Sequence, residues 1–79
     1  MRIDKYLKVS RLIKRRTVAN EACETGHIKI NDKVAKPGTE IKVGDIIEMR
    51  FGANTTKVLV LTTQDNVSKN DAKSMYEIQ

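Results

Sequence analysis

The first 31 residues of the chain read MRIDKYLKVSRLIKRRTVANEACETGHIKIN, and along them the spacing of apolar residues changes from helical to extended. Ile3, Tyr6 and Leu7 recur at helical intervals, which predicts a first helix over residues 3–10. A second helix is predicted over residues 16–25, and its buried face should contain Val18, Ala19, Ala22 and Cys23. Because a short connection joins the two helices, they should pack against each other as a hairpin.

Three features mark the helix ends and the connection. Asp4 lies in the first turn, where a carboxylate complements the helix dipole and can accept hydrogen bonds from free amides. Gly26 follows the second helix, where a helix end favours a residue with left-handed backbone. Leu12 and Ile13 lie between the helices, and we expect them to anchor the connection in the core.

After Gly26 the apolar period becomes two, which is typical of strands. Apolar and polar residues alternate over residues 27–30, which predicts a strand. Asn31-Asp32 is predicted to form a tight turn that leads into a second, antiparallel strand over residues 34–36. Longer strands are predicted over residues 46–51 and 57–61. The predicted fold class is therefore α+β, with a two-helix N-terminal hairpin packed on a small, mainly antiparallel sheet.

The C-terminal part of the chain is predicted to be an accessory to one small domain. Residues 1–63 should form that domain, because 79 residues supply only a single thin core. Residues 64–79 are predicted to form a polar linker over 64–70 and then a short C-terminal helix. That helix should dock on the sheet through Met75, Tyr76 and Ile78.

The positive charge of the chain is concentrated at its N-terminus. Residues 1–16 contain seven basic residues and one acidic residue, whereas the whole chain has a net charge of +5, so the remainder is almost neutral. Such a segment on a near-neutral scaffold is typical of proteins that bind a polyanion, since each phosphate contact releases condensed counterions. The alternative is a solvated basic helix that only keeps the protein soluble.

The pattern of these cations favours folded RNA as the polyanion. Arginine grips phosphate with two parallel hydrogen bonds and stacks on exposed bases. Aromatic residues are too few for a base-stacking sheet, so recognition of the RNA backbone and shape is predicted. The predicted RNA-binding residues are Arg2, Lys5, Lys8, Arg11, Lys14, Arg15, Arg16 and Thr17.

Several functional classes lack support in the sequence. With Cys23 as its one cysteine and His27 as its one histidine, the chain offers no disulfide and no zinc module. Cys23 is predicted to be a core residue and His27 a structural one, so we expect neither an enzyme nor a cofactor. No apolar run approaches the roughly 20 residues that span a membrane, and the charged N-terminus is unlike a secretory signal. A cytoplasmic location is the default expectation.

Several motifs in register resemble the S-four domain, the αL RNA-binding motif. Residues 2–7 (RIDKYL) match the family opening, and residues 16–19 (RTVA) match the start of its second helix. GHIKIN at residues 26–31 and Gly44-Asp45 match the remainder. The resemblance covers about residues 1–51 and implies the S-four fold and RNA binding.

Two residues depart from the family pattern. Arg15 stands where the family usually has serine, which adds charge to the predicted RNA face and removes a potential helix cap. Asp32 stands where the family usually has glycine, in a turn that aspartate can still enter at a small cost.

Beyond this domain, residues 50–52 (RFG) and 72–76 (AKSMY) are similar to the small stand-alone members that act in bacterial ribosome-associated quality control. This resemblance implies binding to ribosomal RNA of the large subunit obstructed by peptidyl-tRNA. It also implies support of an RqcH-type protein that adds C-terminal alanine tails to stalled chains. The chain should then be a monomer off the ribosome.

Other readings of the sequence stay open. A related heat-shock branch binds large subunits but carries a longer basic extension, and a ribosome-assembly factor would share the same RNA face. The domain could also be the detached targeting domain of an enzyme, such as a pseudouridine synthase or tyrosyl-tRNA synthetase. A DNA-binding module and a protein-only interaction module are the remaining alternatives.

Overall fold

The computed structural model describes residues 1–64 and 70–79. The predicted helical hairpin forms α1 (Ile3–Val9) and α2 (Arg16–Glu24). The extended segments form β1 (Ile28–Ile30), β2 (Lys33–Val34), β3 (Ile46–Phe51), β4 (Asn54–Val60) and β5 (Tyr76–Ile78). A 3-10 helix, Ala72–Met75, leads directly into β5.

The strands form one antiparallel sheet in the order β2-β1-β3-β4-β5. Asn31 and Asp32 both adopt left-handed backbone (φ 50° and 69°) in the turn between β1 and β2, as a tight hairpin requires. Alternate residues of the three central strands are buried: Ile28, Ile30, Ile47, Met49, Val58 and Val60. The predicted α+β fold is confirmed.

The two helices contribute the other half of the core. Ile3, Tyr6 and Leu7 of α1 are buried, and so are Ala19, Ala22 and Cys23 of α2. Ile13 is buried in the connection, and Leu12 packs against the core while partly exposed. These burial patterns match the sequence expectation.

The predicted burial of Val18 is wrong, because its side chain is 45% exposed. The buried stripe of α2 is narrow and consists of Ala19, Ala22 and Cys23. Val18 lies at the edge of that stripe, beside the exposed residues His27 and Phe51.

A loop from the middle of the chain fixes the start of α1. The amide of Ile3 donates to the carbonyl of Thr39 (2.8 Å), and the amide of Asp4 donates to the carbonyl of Pro37 (3.3 Å). Arg2, the N-cap residue of α1, forms no capping hydrogen bond through its side chain. Two of the helix's free amides are therefore satisfied by backbone that is distant in sequence, and this holds the N-terminal residues in place.

The predicted short C-terminal helix is present as the 3-10 helix Ala72–Met75, but it ends earlier than expected, because the next three residues form an edge strand. Met75 is fully buried and Tyr76 partly so, but Ile78 is 60% exposed. An extended segment satisfies the open backbone groups of β4, which a helix would leave unpaired. The predicted linker falls mostly on residues 65–69, which lie outside the described residues.

Candidate RNA-binding surface

A buried carboxylate draws together two arginines from the two helices. The Asp4 side chain is only 3% exposed. Its Oδ2 accepts a hydrogen bond from Nη2 of Arg2 (3.2 Å), and its Oδ1 accepts one from Nη2 of Arg16 (3.5 Å). The Oδ1 atom also accepts from the backbone amide of Lys5 (2.8 Å). The hairpin thus converts residues far apart in sequence into one cluster.

The two guanidinium groups remain available to a ligand. The side chains of Arg2 and Arg16 are 50% and 49% exposed, whereas the carboxylate between them is buried. Each guanidinium carries five N–H donors in a planar fork, and Asp4 occupies only part of each set. Two oriented forks on one surface suit the oxygens of a phosphate backbone.

The other predicted residues lie on the same hairpin. Lys5 is partly buried on α1, and the remaining five are exposed along α1, the connection and the first turn of α2: Lys8, Arg11, Lys14, Arg15 and Thr17. The side chains of Arg2 and Arg16 share Asp4 as a partner, and both residues belong to the predicted set. We refer to these eight residues as the basic face.

The connection holds one of the basic residues in a rare conformation. Arg11 has left-handed backbone (φ 61°) directly after the end of α1. Its amide donates to the carbonyl of Lys8 (3.1 Å), and the amide of Ile13 donates to that of Leu7 (3.0 Å). Glycine is the usual residue at such a helix end, so an arginine there costs roughly 1–2 kcal/mol relative to right-handed backbone.

The start of α2 also follows from the sequence. Arg15 is its N-cap residue and makes no side-chain capping bond, as the replacement of serine leads one to expect. Amides in the first turn therefore have no partner from that side chain, and they contribute a partial positive charge at the start of α2.

The central role of Asp4 was missed by sequence reasoning, which assigned it to the helix dipole. One signal was present, since Asp4 is the single acid among seven basic residues in residues 1–16. Gly38 was also missed: a Cβ atom built on it would lie 3.9 Å from the Arg2 guanidinium, so the loop backbone lies close against that side chain.

The hydroxyl group of Tyr6 and the thiol group of Cys23 are buried in the hairpin that carries the basic face. Burial, with a smaller contribution from the charge of Asp4, raises the pKa of the Cys23 thiol to about 11. Burial also raises the pKa of Tyr6, with a smaller contribution from Tyr76. Both groups are protonated at neutral pH, and the phenol of Tyr6 donates to the carbonyl of Met75 (2.7 Å). They act as core residues, as predicted for Cys23.

Other chemistry-bearing residues occupy structural positions. His27 is exposed, stacks on Phe51 (ring centroids 6.1 Å apart), and its Nδ1 lies 2.6 Å from the Thr25 hydroxyl. Asp45 accepts from the amide of Lys42 (2.8 Å), as expected of a turn residue. In the described parts of the chain, no three histidine, cysteine or acidic residues cluster as metal ligands would. None of the helices there is long and apolar enough to cross a membrane.

The fold and this surface define a class of RNA-binding domain, and the chain belongs to the S4 domain family, whose model matches residues 1–47. The RQC P-site tRNA stabilizing factor of Streptococcus pneumoniae is 55% identical over 78 residues, which cover 99% of this chain and 89% of that protein.

Two heat-shock proteins are also similar to this chain, one in structure and one in sequence. The trimeric structure of heat shock protein 15 from Vibrio cholerae superposes with a TM-score of 0.91 at 26% identity, covering 100% of this chain and 81% of that one. A heat shock protein 15 homolog from Aeromonas salmonicida is 31% identical, with 98% of this chain covering 59% of that protein.

Proposed function

We propose that this chain is an RNA-binding factor of ribosome-associated quality control. It binds ribosomal RNA and tRNA on large subunits obstructed by peptidyl-tRNA, and it supports RqcH-dependent alanine tailing of stalled chains. Similarity to RQC P-site tRNA stabilizing factors, at 47–55% identity over 99–100% of this chain, supports this role. In the structure, the observation that carries it is the pair of arginines held by buried Asp4.

The basic face performs binding rather than catalysis in this proposal. Arg2 and Arg16 present preoriented forks to backbone phosphates, and the surrounding residues add positive charge: Lys5, Lys8, Arg11, Lys14 and Arg15. Thr17 adds a hydroxyl at the start of α2. Because the forks are fixed before RNA arrives, little side-chain entropy is lost on binding. The geometry of the RNA is then recognised through the spacing of its phosphates.

The partners follow from the same proposal. A protein of 79 residues has too little surface to select one state of a large subunit through area alone. A composite of ribosomal RNA and peptidyl-tRNA supplies that selectivity, and the RqcH-type protein acts on the subunit so marked. The chain acts in the cytoplasm as a monomer before it binds.

The test is co-sedimentation with large subunits that retain peptidyl-tRNA. Arg16→Glu reverses the charge of one fork and should abolish association while the circular dichroism spectrum stays that of a folded protein. Arg50→Glu, at an exposed position of β3, makes the same charge change away from the hairpin. It should retain most of the binding. Equal losses in the two variants would show that net charge alone drives association and would overturn the proposal.

A heat-shock or assembly role on the large subunit, without tailing, is the second candidate. The similarity to heat shock protein 15 over nearly all of this chain supports it. The two roles share the basic face, so subunit binding cannot separate them. Alanine-tail length in cells that lack the protein does separate them, because the tails should shorten only if the protein has the first role.

A further inference from the structure

A cavity lies between the end of α1 and the C-terminal segment, next to the basic face. It has a volume of about 320 Å³ and is lined by Ser10, Arg11, Asn70, Ala72, Lys73 and Tyr76. We propose that this cavity receives a single nucleotide extruded from the bound RNA. The proposal rests on the RNA-binding function proposed above and extends it to a second element, the C-terminal segment.

The chemistry of the lining fits one nucleotide. Arg11 and Lys73 supply two cations for a phosphate, and Asn70 supplies amide groups that can bond to a base edge. Tyr76 supplies an aromatic ring, the surface on which unstacked RNA bases commonly pack. The volume is at the small end of the range for ligand pockets, roughly 300–1,000 Å³, which suits one nucleotide and excludes a duplex.

The wall of the cavity is rigidly held. The carbonyl of Met75 accepts three hydrogen bonds, from the Tyr6 hydroxyl (2.7 Å) and from the amides of Leu61 (2.8 Å) and Thr62 (3.2 Å). Tyr76, the next residue, pairs with Val60 of β4. The tail segment is thus fixed to both α1 and the sheet, and the cavity is formed before a ligand enters.

Arg11 connects the cavity to the basic face. It belongs to the hairpin that carries Arg2 and Arg16, yet it also lines the cavity. Its left-handed backbone turns the chain away from the axis of α1 at a position where glycine would fit without strain. The presence of an arginine with strained backbone at this point is explained if its cation is needed there. An RNA strand that crosses the basic face can therefore place one nucleotide in the cavity.

The experiment follows backbone amide signals of the full-length protein by NMR during titration with adenosine 5′-monophosphate, and separately with inorganic phosphate. The nucleotide should shift the signals of Arg11, Lys73 and Tyr76, and phosphate alone should leave Tyr76 unmoved. Lys73→Glu should remove the shifts in the cavity. Lys33→Glu, a matched change at an exposed site on β2, should keep them.

Several outcomes would overturn the proposal. Equal shifts with phosphate and nucleotide would reduce the cavity to a plain anion site, and shifts confined to Arg2 and Arg16 would show that the cavity stays empty. Lys73→Glu should also weaken binding to large subunits about tenfold or more, because the variant loses a phosphate contact and the stacking of a base in the cavity. The nucleotide titration uses the isolated protein, so its failure is distinct from a failure of Arg16→Glu to release subunits.

Discussion

Replacing Asp4 by asparagine separates two explanations of the basic face. The substitution keeps the size of the side chain but removes the buried negative charge that binds Arg2 and Arg16. It also raises the net charge of the protein by one, within the region of the basic face. Simple attraction therefore predicts tighter RNA binding. If fixed arginines matter, binding should instead weaken, by about tenfold for each 1.4 kcal/mol of lost positioning.

The stability of the Asp4→Asn variant gives a second measure. Breaking a fully buried ion pair costs about 3–5 kcal/mol, but both arginines here are half exposed, which reduces the cost. We expect a loss of about 2 kcal/mol in the free energy of unfolding, or about 8–16 °C in melting temperature for a domain of this size.

Urea unfolding and RNA titration of the same samples test both expectations. Glu24→Gln makes the same charge change at an exposed site near the end of α2 and should leave stability almost unchanged. Tighter RNA binding by folded Asp4→Asn, equal to that of the control, would refute the positioning role of Asp4.

Three further predictions concern other parts of the fold. Arg11→Gly should raise the free energy of unfolding by about 0.5–1 kcal/mol, because glycine accepts left-handed backbone. The same variant should bind RNA more weakly, because it lacks the arginine cation. A loss of stability would contradict the backbone strain assigned to Arg11. Deleting residues 71–79 removes fully buried Met75 and should cost at least about 2–5 kcal/mol; an unchanged melting curve would show that the tail is not structural. Burial raises the pKa of Cys23 from 9.0 to about 11, so the folded state keeps a proton that the unfolded state loses. Unfolding free energy should fall between those pH values, by up to about 1.4 kcal/mol per pH unit, and Cys23→Ala should remove that part of the dependence in urea titrations.

The sequence predicted the helices and the central strands well because their periods are strong. Ile3, Tyr6 and Leu7 had only one way to face a core, and the two left-handed turn residues Asn31 and Asp32 fixed a hairpin. The C-terminal segment was less predictable, since the open edge of β4 determined its conformation and local pattern did not. The prediction for Val18 failed for a related reason, because tertiary packing decides whether a residue at the edge of the buried stripe of α2 is covered.

The candidate site was predictable in its residues but not in its organisation. Charge clustering selected seven of the eight residues of the basic face, all except the uncharged Thr17. The role of Asp4 as the common partner of two arginines requires the angle of the hairpin, which no periodicity encodes. The cavity beside Tyr76 depends on contacts between residues about sixty positions apart or more, such as Tyr6 with Met75, a sequence separation of 69.

The length of C-terminal alanine tails on stalled chains tests the central proposal most directly. Tails should be short in cells that lack this protein, should regain their length with the wild-type gene or Arg50→Glu, and should stay short with Arg16→Glu. Tails of normal length in the deletion strain would contradict the quality-control role, even if the protein still bound large subunits through Arg2 and Arg16.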